Sequence, residues 1–298
     1  MRKKKINAYQ IIAHVVMIMV TISVILPFLL LFMSSITSED VLLNYGYSFF
    51  PRKISLEAYT YILQSGTKIL RAYSMTILVT AVGTTVSILI AALFAYPLSL
   101  SNLPFKKVFN FFVFFTMLFN GGLIPSYIMW TNIFHIKDTV WGLMFPNLLM
   151  NAMSVLMIRT YFANSIPSTL FEAAQIDGAS QLQVFRKIVI PLGKPILVTM
   201  GTFAGLAYWN DWTNGLYYIS KRTDYYTIQN LLNKMVSDLQ FLTSNSNLTS
   251  QAAQEIAKVP STGIQMAIAF IAILPILVLF PFLQKYYSKG IMLGAVKG

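Results

Sequence analysis

The sequence predicts an all-α membrane protein with six transmembrane helices. Three observations predict it. Of the 298 residues, 56% are hydrophobic and only 11% are charged, where a soluble domain carries about a quarter charged residues. Six long stretches contain no Asp, Glu, Lys or Arg, and a helix needs about 20 apolar residues to cross a bilayer. The Lys and Arg residues gather in alternate connections between those stretches, as topology in membranes demands.

Taken in order, the uncharged stretches run from Ile6 to Ser38, Ala72 to Phe105, Val108 to Ile136, Thr139 to Ile158, Pro195 to Asn210 and Val259 to Gln284. The expected spans lie near residues 11–33, 72–99, 108–130, 139–161, 188–210 and 260–284 within a single transmembrane domain, 1–298. The first follows Arg2, Lys3, Lys4 and Lys5, as a signal peptide would. Its apolar run from Ile11 to Met33 exceeds the usual core of about 7–15 residues, so it reads as a retained anchor. The fifth stretch is short, but Lys194 can snorkel to the headgroups, so the helix is expected to begin near Ile188. Pro27, Pro97, Pro125 and Pro146 fall in or near spans, where neighbouring helices can satisfy the carbonyls they free.

Charge sets the orientation. With the N-terminus inside, the inner segments hold 13 Lys/Arg against the two acids Glu172 and Asp177, and the outer segments hold 9 Lys/Arg and 8 acids. Both termini are therefore expected in the cytoplasm, with a tail at 285–298. This distribution accounts for the net charge of +12 without nucleic acid as a partner. Outer loops are expected at about 35–71 and 211–258. The second contains the polar run Ser244 to Gln251, which suits a solvated, partly mobile segment.

Several chemistries are excluded. There is no cysteine, and the only two histidines, His14 and His135, lie far apart, which leaves metal catalysis almost without ligands. No G-x-x-x-x-G-K-[ST] phosphate loop occurs, so the chain has no such route to ATP. No carboxylate lies within a span for acid–base work. The reading is a transport protein and not an enzyme.

The inner loop between spans four and five, residues 162–187, is the most informative segment. Thr169 and Glu172 fit a capping box, with Pro167 acceptable in a first turn. Leu170, Ala173 and Ala174 fall on one face at helical spacing. Gly178 can end this short helix in a left-handed conformation, and a second helix then enters the membrane. The result is a bent knob, which on its own reads equally as a plain connector. Glu172-Ala173-Ala174, then Gly178, Ile188 and Pro191, resemble the "EAA" loop of binding-protein-dependent ABC importers. The one departure is Ile190, where the pattern usually has Leu. The resemblance implies a type I importer permease fold in which this loop is a cytoplasmic coupling helix. Glu172, Ala173, Ala174, Asp177, Gly178 and Pro191 would then carry motion from a partner ATPase.

Other segments narrow the resemblance. Trp209-Asn210-Asp211-Trp212 resembles the Trp-Asn motif of maltose-type carbohydrate permeases. Gly294 to Gly298 resembles the short tail of their smaller permease subunit. Phe119 to Tyr127 and Ala207 to Tyr217 resemble the branch associated with oligosaccharides such as aldouronates, alginate fragments or host glycans. The resemblance implies a bacterial cell-membrane permease that passes an oligosaccharide by alternating access. Its implied partners are a paralogous permease, two ATPase subunits carrying ATP and Mg, and an external sugar-binding protein. Loop 211–258 would reach into that binding protein.

Candidates for the substrate path each have a structural reading beside the functional one. Asn147 and Asn151, four apart, share a face if span four is one helix. They either bind sugar hydroxyls or join helices. Tyr73, Thr76, Thr80, Thr84 and Ser87 form a polar stripe that lines the path or, with Gly83, packs against a neighbour. Trp209, Trp212, Tyr217 and Tyr218 form an interfacial belt or a stacking surface for sugar or a binding protein. Three rival functions stand beside this one: an ion-coupled secondary transporter, disfavoured because the spans hold no acid, an ABC permease for a polyamine or another non-sugar nutrient, and a membrane scaffold without transport, which no feature of the sequence favours.

Overall fold

The computed structural model describes residues 8–64, 66–244 and 261–295, with only the backbone described at 239–244 and over most of 279–295. Arg2 to Lys5, the run Asn245 to Gln251 and the end of the tail lie outside the described residues. Among the described residues the structure is helical, with one isolated antiparallel bridge, Thr37 to Ile54. The helices are α1 (Ala8–Ser35), α2 (Glu39–Tyr45), α3 (Glu57–Gln64), α4 (Gly66–Ser99), α5 (Lys106–Leu118), α6 (Leu123–Ile128), α7 (Trp141–Met144), α8 (Ala152–Ser165), α9 (Ser168–Ile176), α10 (Gln181–Val184), α11 (Ile190–Asn210), α12 (Thr213–Tyr218), α13 (Ile228–Ser244) and α14 (Ser261–Ala295).

The chain divides into two compact units. The first comprises residues 1–69 and 232–275. In it α1 is apolar and exposed along nearly its whole length, as a lipid-facing helix is. The outer segment after α1 is ordered by α2 and α3, where Val41, Leu42, Ala58 and Ile62 are buried. The Glu39 carboxylate accepts the N–H groups of Thr262 and Gly263 at 2.9 and 2.8 Å. An anion at the amino end of α14 satisfies donors that the helix itself cannot.

The second unit, residues 70–231 and 276–298, holds the candidate site. Its core joins a small-residue face of α4 (Ala91, Ala92, Ala95) to Val155, Ile158 and Phe162 of α8 and to Ile196 and Met200 of α11. Small residues let backbones approach where lipid offers no hydrophobic drive between helices. Gly193 shows how closely: a Cβ there would sit 2.4 Å from the Phe162 ring. Gly83 does the same beneath Tyr208, at 2.6 Å, so the packing role expected of Gly83 is the one observed.

Among the described residues two helices, Tyr9–Ser35 and Gly66–Ser99, are long and apolar enough to cross a membrane unbroken. The expected spans at 108–130, 139–161 and 188–210 are not single straight helices. The third turns through 110° between Lys106–Leu118 and Leu123–Ile133. The break falls at Gly121-Gly122, where Gly122 has φ +88 and donates its N–H to Asn120 Oδ1. The fourth is interrupted between α7 and α8, where Pro146 breaks the helix and Asn147 adopts φ +61. The fifth begins at Gln181 and turns through 79° at Gly193, beside Pro191 and Pro195. A π-helical turn at Phe185–Val189 precedes that bend. The outer loop expected at 211–258 is helical in α12 and α13 up to Ser244.

Candidate functional site

The coupling segment is built from α9 and α10. Pro167, with φ −60 and ψ 135, is the cap residue of α9, so Thr169 falls inside the first turn and the expected Thr169–Glu172 capping box does not form. The box occurs one helix later. Ser180 Oγ accepts the Gln183 N–H at 3.3 Å, and Gln183 Oε1 accepts the Ser180 N–H at 2.8 Å. The stop at Gly178 is as expected. Its φ is +72, its N–H donates to Gln175 O, and the Ala179 N–H reaches back to Ala174 O. That pair of bonds is a Schellman motif, which needs a left-handed residue and hence glycine.

The inward face of α9 is Phe171 and Ala174, both packed on the core, rather than the Leu170–Ala173–Ala174 face inferred from spacing. Glu172, Ala173 and Asp177 are exposed, and Ile176 is 87% exposed. Behind them Tyr96, near the end of α4, lies between Phe171 and Phe185, with ring centroids 6.2 and 5.5 Å away. Its hydroxyl donates to Gln181 Oε1 at 2.7 Å. Pro191 is exposed in the first turn of α11. Thus α9, α10 and α4 are tied through one tyrosine that the sequence reading did not single out.

The break before α8 builds a cavity of about 390 Å³. Asn147 and Asn151 both line it, although no helix puts them on one face. Asn151 reaches it as the cap of α8, accepting the Ser154 N–H at 3.1 Å. Asn147 reaches it through its left-handed backbone. Met200, Phe203, Ala204 and Ala207 supply the α11 wall at helical spacing, and Ser87 closes it by donating to Leu148 O at 3.3 Å. The broken stretch is held by Asn214, 2% exposed, whose Nδ2 donates to Pro146 O at 2.9 Å and Leu143 O at 3.5 Å.

Trp209 lies on a different face of α11. It lines a second cavity, also about 390 Å³, with Thr80, Thr84, Gly201 and Gly205. The structure therefore does not bring Trp209 together with Asn147 and Asn151. Trp209 and Tyr218 are buried at 7% and 1% exposure, which corrects the lipid-belt reading for both. Tyr218 stacks on Tyr127 with centroids 5.7 Å apart. Asn210 is exposed and donates to Leu206 O of its own helix at 3.0 Å. Trp212 is 43% exposed, and its carbonyl accepts Asn230 Nδ2 at 2.6 Å. Of the polar stripe on α4, Thr76 accepts the Ile228 N–H at 2.9 Å, while the buried hydroxyls of Tyr73, Thr80 and Thr84 have no partner among the described residues.

Two acids outside the spans organise the neighbouring turns. Burial opposes ionisation of Asp138, but the N–H groups of Lys221, Ser220 and Arg222 and the Ser220 hydroxyl prevail and hold the carboxyl down to about 2. Burial pushes Asp211 up to about 6, although the Asn214 and Thr213 N–H groups bond to it. Among the described residues no three His, Asp or Glu side chains cluster to hold a metal.

Comparison with known proteins identifies what this geometry belongs to. Residues 87–292 match the family described as binding-protein-dependent transport system inner membrane component. The chain belongs to that family. It is a membrane permease component of an ABC transporter, in which the ATPase resides on other subunits. The permease is 36% identical to protein LplC of Bacillus subtilis over 274 residues, 92% of this chain and 90% of that one. It is 31% identical over 294 residues, 99% of this chain and 100% of the other, to the polygalacturonan/rhamnogalacturonan transport system permease protein YtcP of the same organism. Among solved structures, a chain of a bacterial ABC transporter involved in the import of the acidic polysaccharide alginate superposes with a TM-score of 0.79 at 26% identity, covering 96% of this permease and 99% of that chain. The permease therefore has the type I importer fold and resides in the cell membrane.

Proposed function

We propose that this permease passes an oligosaccharide across the membrane by alternating access. A paralogous permease forms the other half of the gate, and ATP and Mg act on two partner ATPase subunits. An external sugar-binding protein delivers the cargo. Six membrane crossings with both termini in the cytoplasm fit the excess of Lys and Arg in the inner segments. In this reading the broken helices count as crossings whose freed backbone groups face protein or a cavity.

The observation that carries the coupling role is the connected series from exposed Ile176, through Phe171 on the same helix, to Tyr96 of α4. Ile176, 87% exposed on a short helix, is the side chain a partner groove would cover, with Glu172, Ala173 and Asp177 exposed beside it and Ala174 packed inward. Gly178 fixes the bend that presents the helix, and Pro191 begins the helix that receives the push. On the substrate side, Asn147 and Asn151 face the cavity, while Trp209, Asn210 and Trp212 shape the end of α11. The sugar class rests on the similarity to named glycan permeases.

The chain has no cysteine, so Ile176→Cys makes a single-site probe. The tagged variant, purified with its partners from membranes, is expected to cross-link to the ATPase in a nucleotide-dependent way. The complex is expected to show oligosaccharide-stimulated ATP hydrolysis. A chain that purifies alone, with uptake driven by an ion gradient, would overturn the proposal.

A further inference from the structure

The Asn147–Asn151 cavity offers neutral hydrogen-bonding groups and no charged side chain. The Asn151 carboxamide uses its oxygen on the Ser154 N–H and leaves its NH2 free to donate. The Asn147 amide makes no hydrogen bond among the described residues, so it offers both a donor and an acceptor. Between these amides the walls are largely apolar, with Met153, Met157, Met200 and Phe203, and Ser87 and Ser154 add two neutral hydroxyls. A pyranose has matching parts, since its ring C–H face is apolar and its edges carry hydroxyls that both donate and accept.

A uronate would find no such match. No lining residue carries a charge. The stretches that supply the walls, within 72–105, 139–158 and 195–210, contain no Lys or Arg. The nearest cation along α8, Arg159, does not line the cavity and turns its Nε to Leu98 O at 3.3 Å. The amino end of α8 offers a partial positive charge of about half an elementary unit. Asn151 already caps that end. A carboxylate, by contrast, carries a full charge on every residue of a uronate chain, and desolvation penalises it unless a counter-charge is at hand.

We propose that the cargo of this permease is a neutral oligosaccharide, not a uronate polymer fragment. The proposal rests on reading this cavity as part of the sugar path. It departs from the two similar proteins whose descriptions mention polygalacturonan and alginate.

The test uses the complete importer, with both permeases, ATPase and binding protein, in proteoliposomes. The probes are oligogalacturonate, glucuronoxylan and alginate oligomers, each paired with the same oligomer after its carboxylates are reduced to alcohols. Neutral gluco-, xylo- and arabino-oligosaccharides complete the panel. Maximal ATPase stimulation is expected from a neutral glycan, with any charged member roughly tenfold or more below its reduced twin. Asn151→Lys, which places a cation in the wall, is expected to raise the charged arm relative to the neutral one. Maximal stimulation by a charged oligomer in the wild type overturns the neutral-cargo proposal and leaves the sugar path standing. No stimulation by any glycan overturns the sugar path itself, and the proposal with it.

Discussion

The Tyr96 hydroxyl donates to Gln181 Oε1 at 2.7 Å, joining the last turns of α4 to the start of α10. The tyrosine ring also lies between Phe171 and Phe185. Any push on α9 therefore reaches α4 by packing, and any rotation of α10 reaches it by this bond. Tyr96→Phe keeps the ring and deletes the bond. The expected loss is about 1 kcal/mol, or a fivefold change in an equilibrium. The complex should still assemble, and the ratio of cargo-stimulated to basal ATPase should fall by about that factor. An unchanged ratio would show that the bond is not part of the coupling route.

Gly193 predicts a second effect. Its missing Cβ would lie 2.4 Å from the ring of Phe162, which is fully buried. Gly193→Ala should destabilise the permease by about 1–3 kcal/mol through overpacking. Adding Phe162→Leu makes room, and the double variant should be more stable than Gly193→Ala alone. Thermal unfolding in detergent measures both. If the second change worsens the first, the clash is not the cause.

Asn214 holds the broken stretch that places Asn147. Its amide donates to Pro146 O and Leu143 O from a buried position. Asn214→Ala leaves Pro146 O with the Leu148 N–H alone and takes the Nδ2 donor from Leu143 O, at a cost of about 1 kcal/mol. Uptake should drop while the ATPase still co-purifies, because α9 and α10 are not touched. Wild-type uptake at normal expression would separate Asn214 from the path.

The helical class, the turn at Gly178 and the tight approach at Gly83 were legible because each follows from local chemistry. Apolar runs show which residues avoid water, not whether their backbone is continuous. Hence the breaks at Gly121-Gly122 and Pro146-Asn147 were hidden inside runs that looked like single spans. The same blindness affected Asn147 and Asn151. They share a cavity, but through a left-handed turn and a helix cap rather than through a four-residue helical spacing. Thr169 was a reasonable cap by type, yet Pro167 began the helix earlier. Attention to the aromatic residues near Trp209 concealed Asn214, whose bonds join segments 68 and 71 residues apart. Tyr96 carried no local signal, because its partners come from three later elements.

Asp211 gives a pH dependence with a definite sign. Burial raises its carboxyl from 3.8 to about 6. Between those values the folded permease binds more protons than the unfolded chain. Stability from this residue therefore rises as pH falls from about 6 towards 4. Asp211→Asn mimics the protonated form and removes the dependence. The variant should be more stable than the wild type at pH 7, by on the order of 2 kcal/mol at most. The gap should close as pH falls towards 4. Unfolding followed by tryptophan fluorescence at a series of pH values compares the two directly, since all other titrating groups contribute equally. Parallel curves across that range would mean that Asp211 stays ionised at its ordinary value and that its surroundings are wetter than the packing around Asn214 and Tyr208 implies.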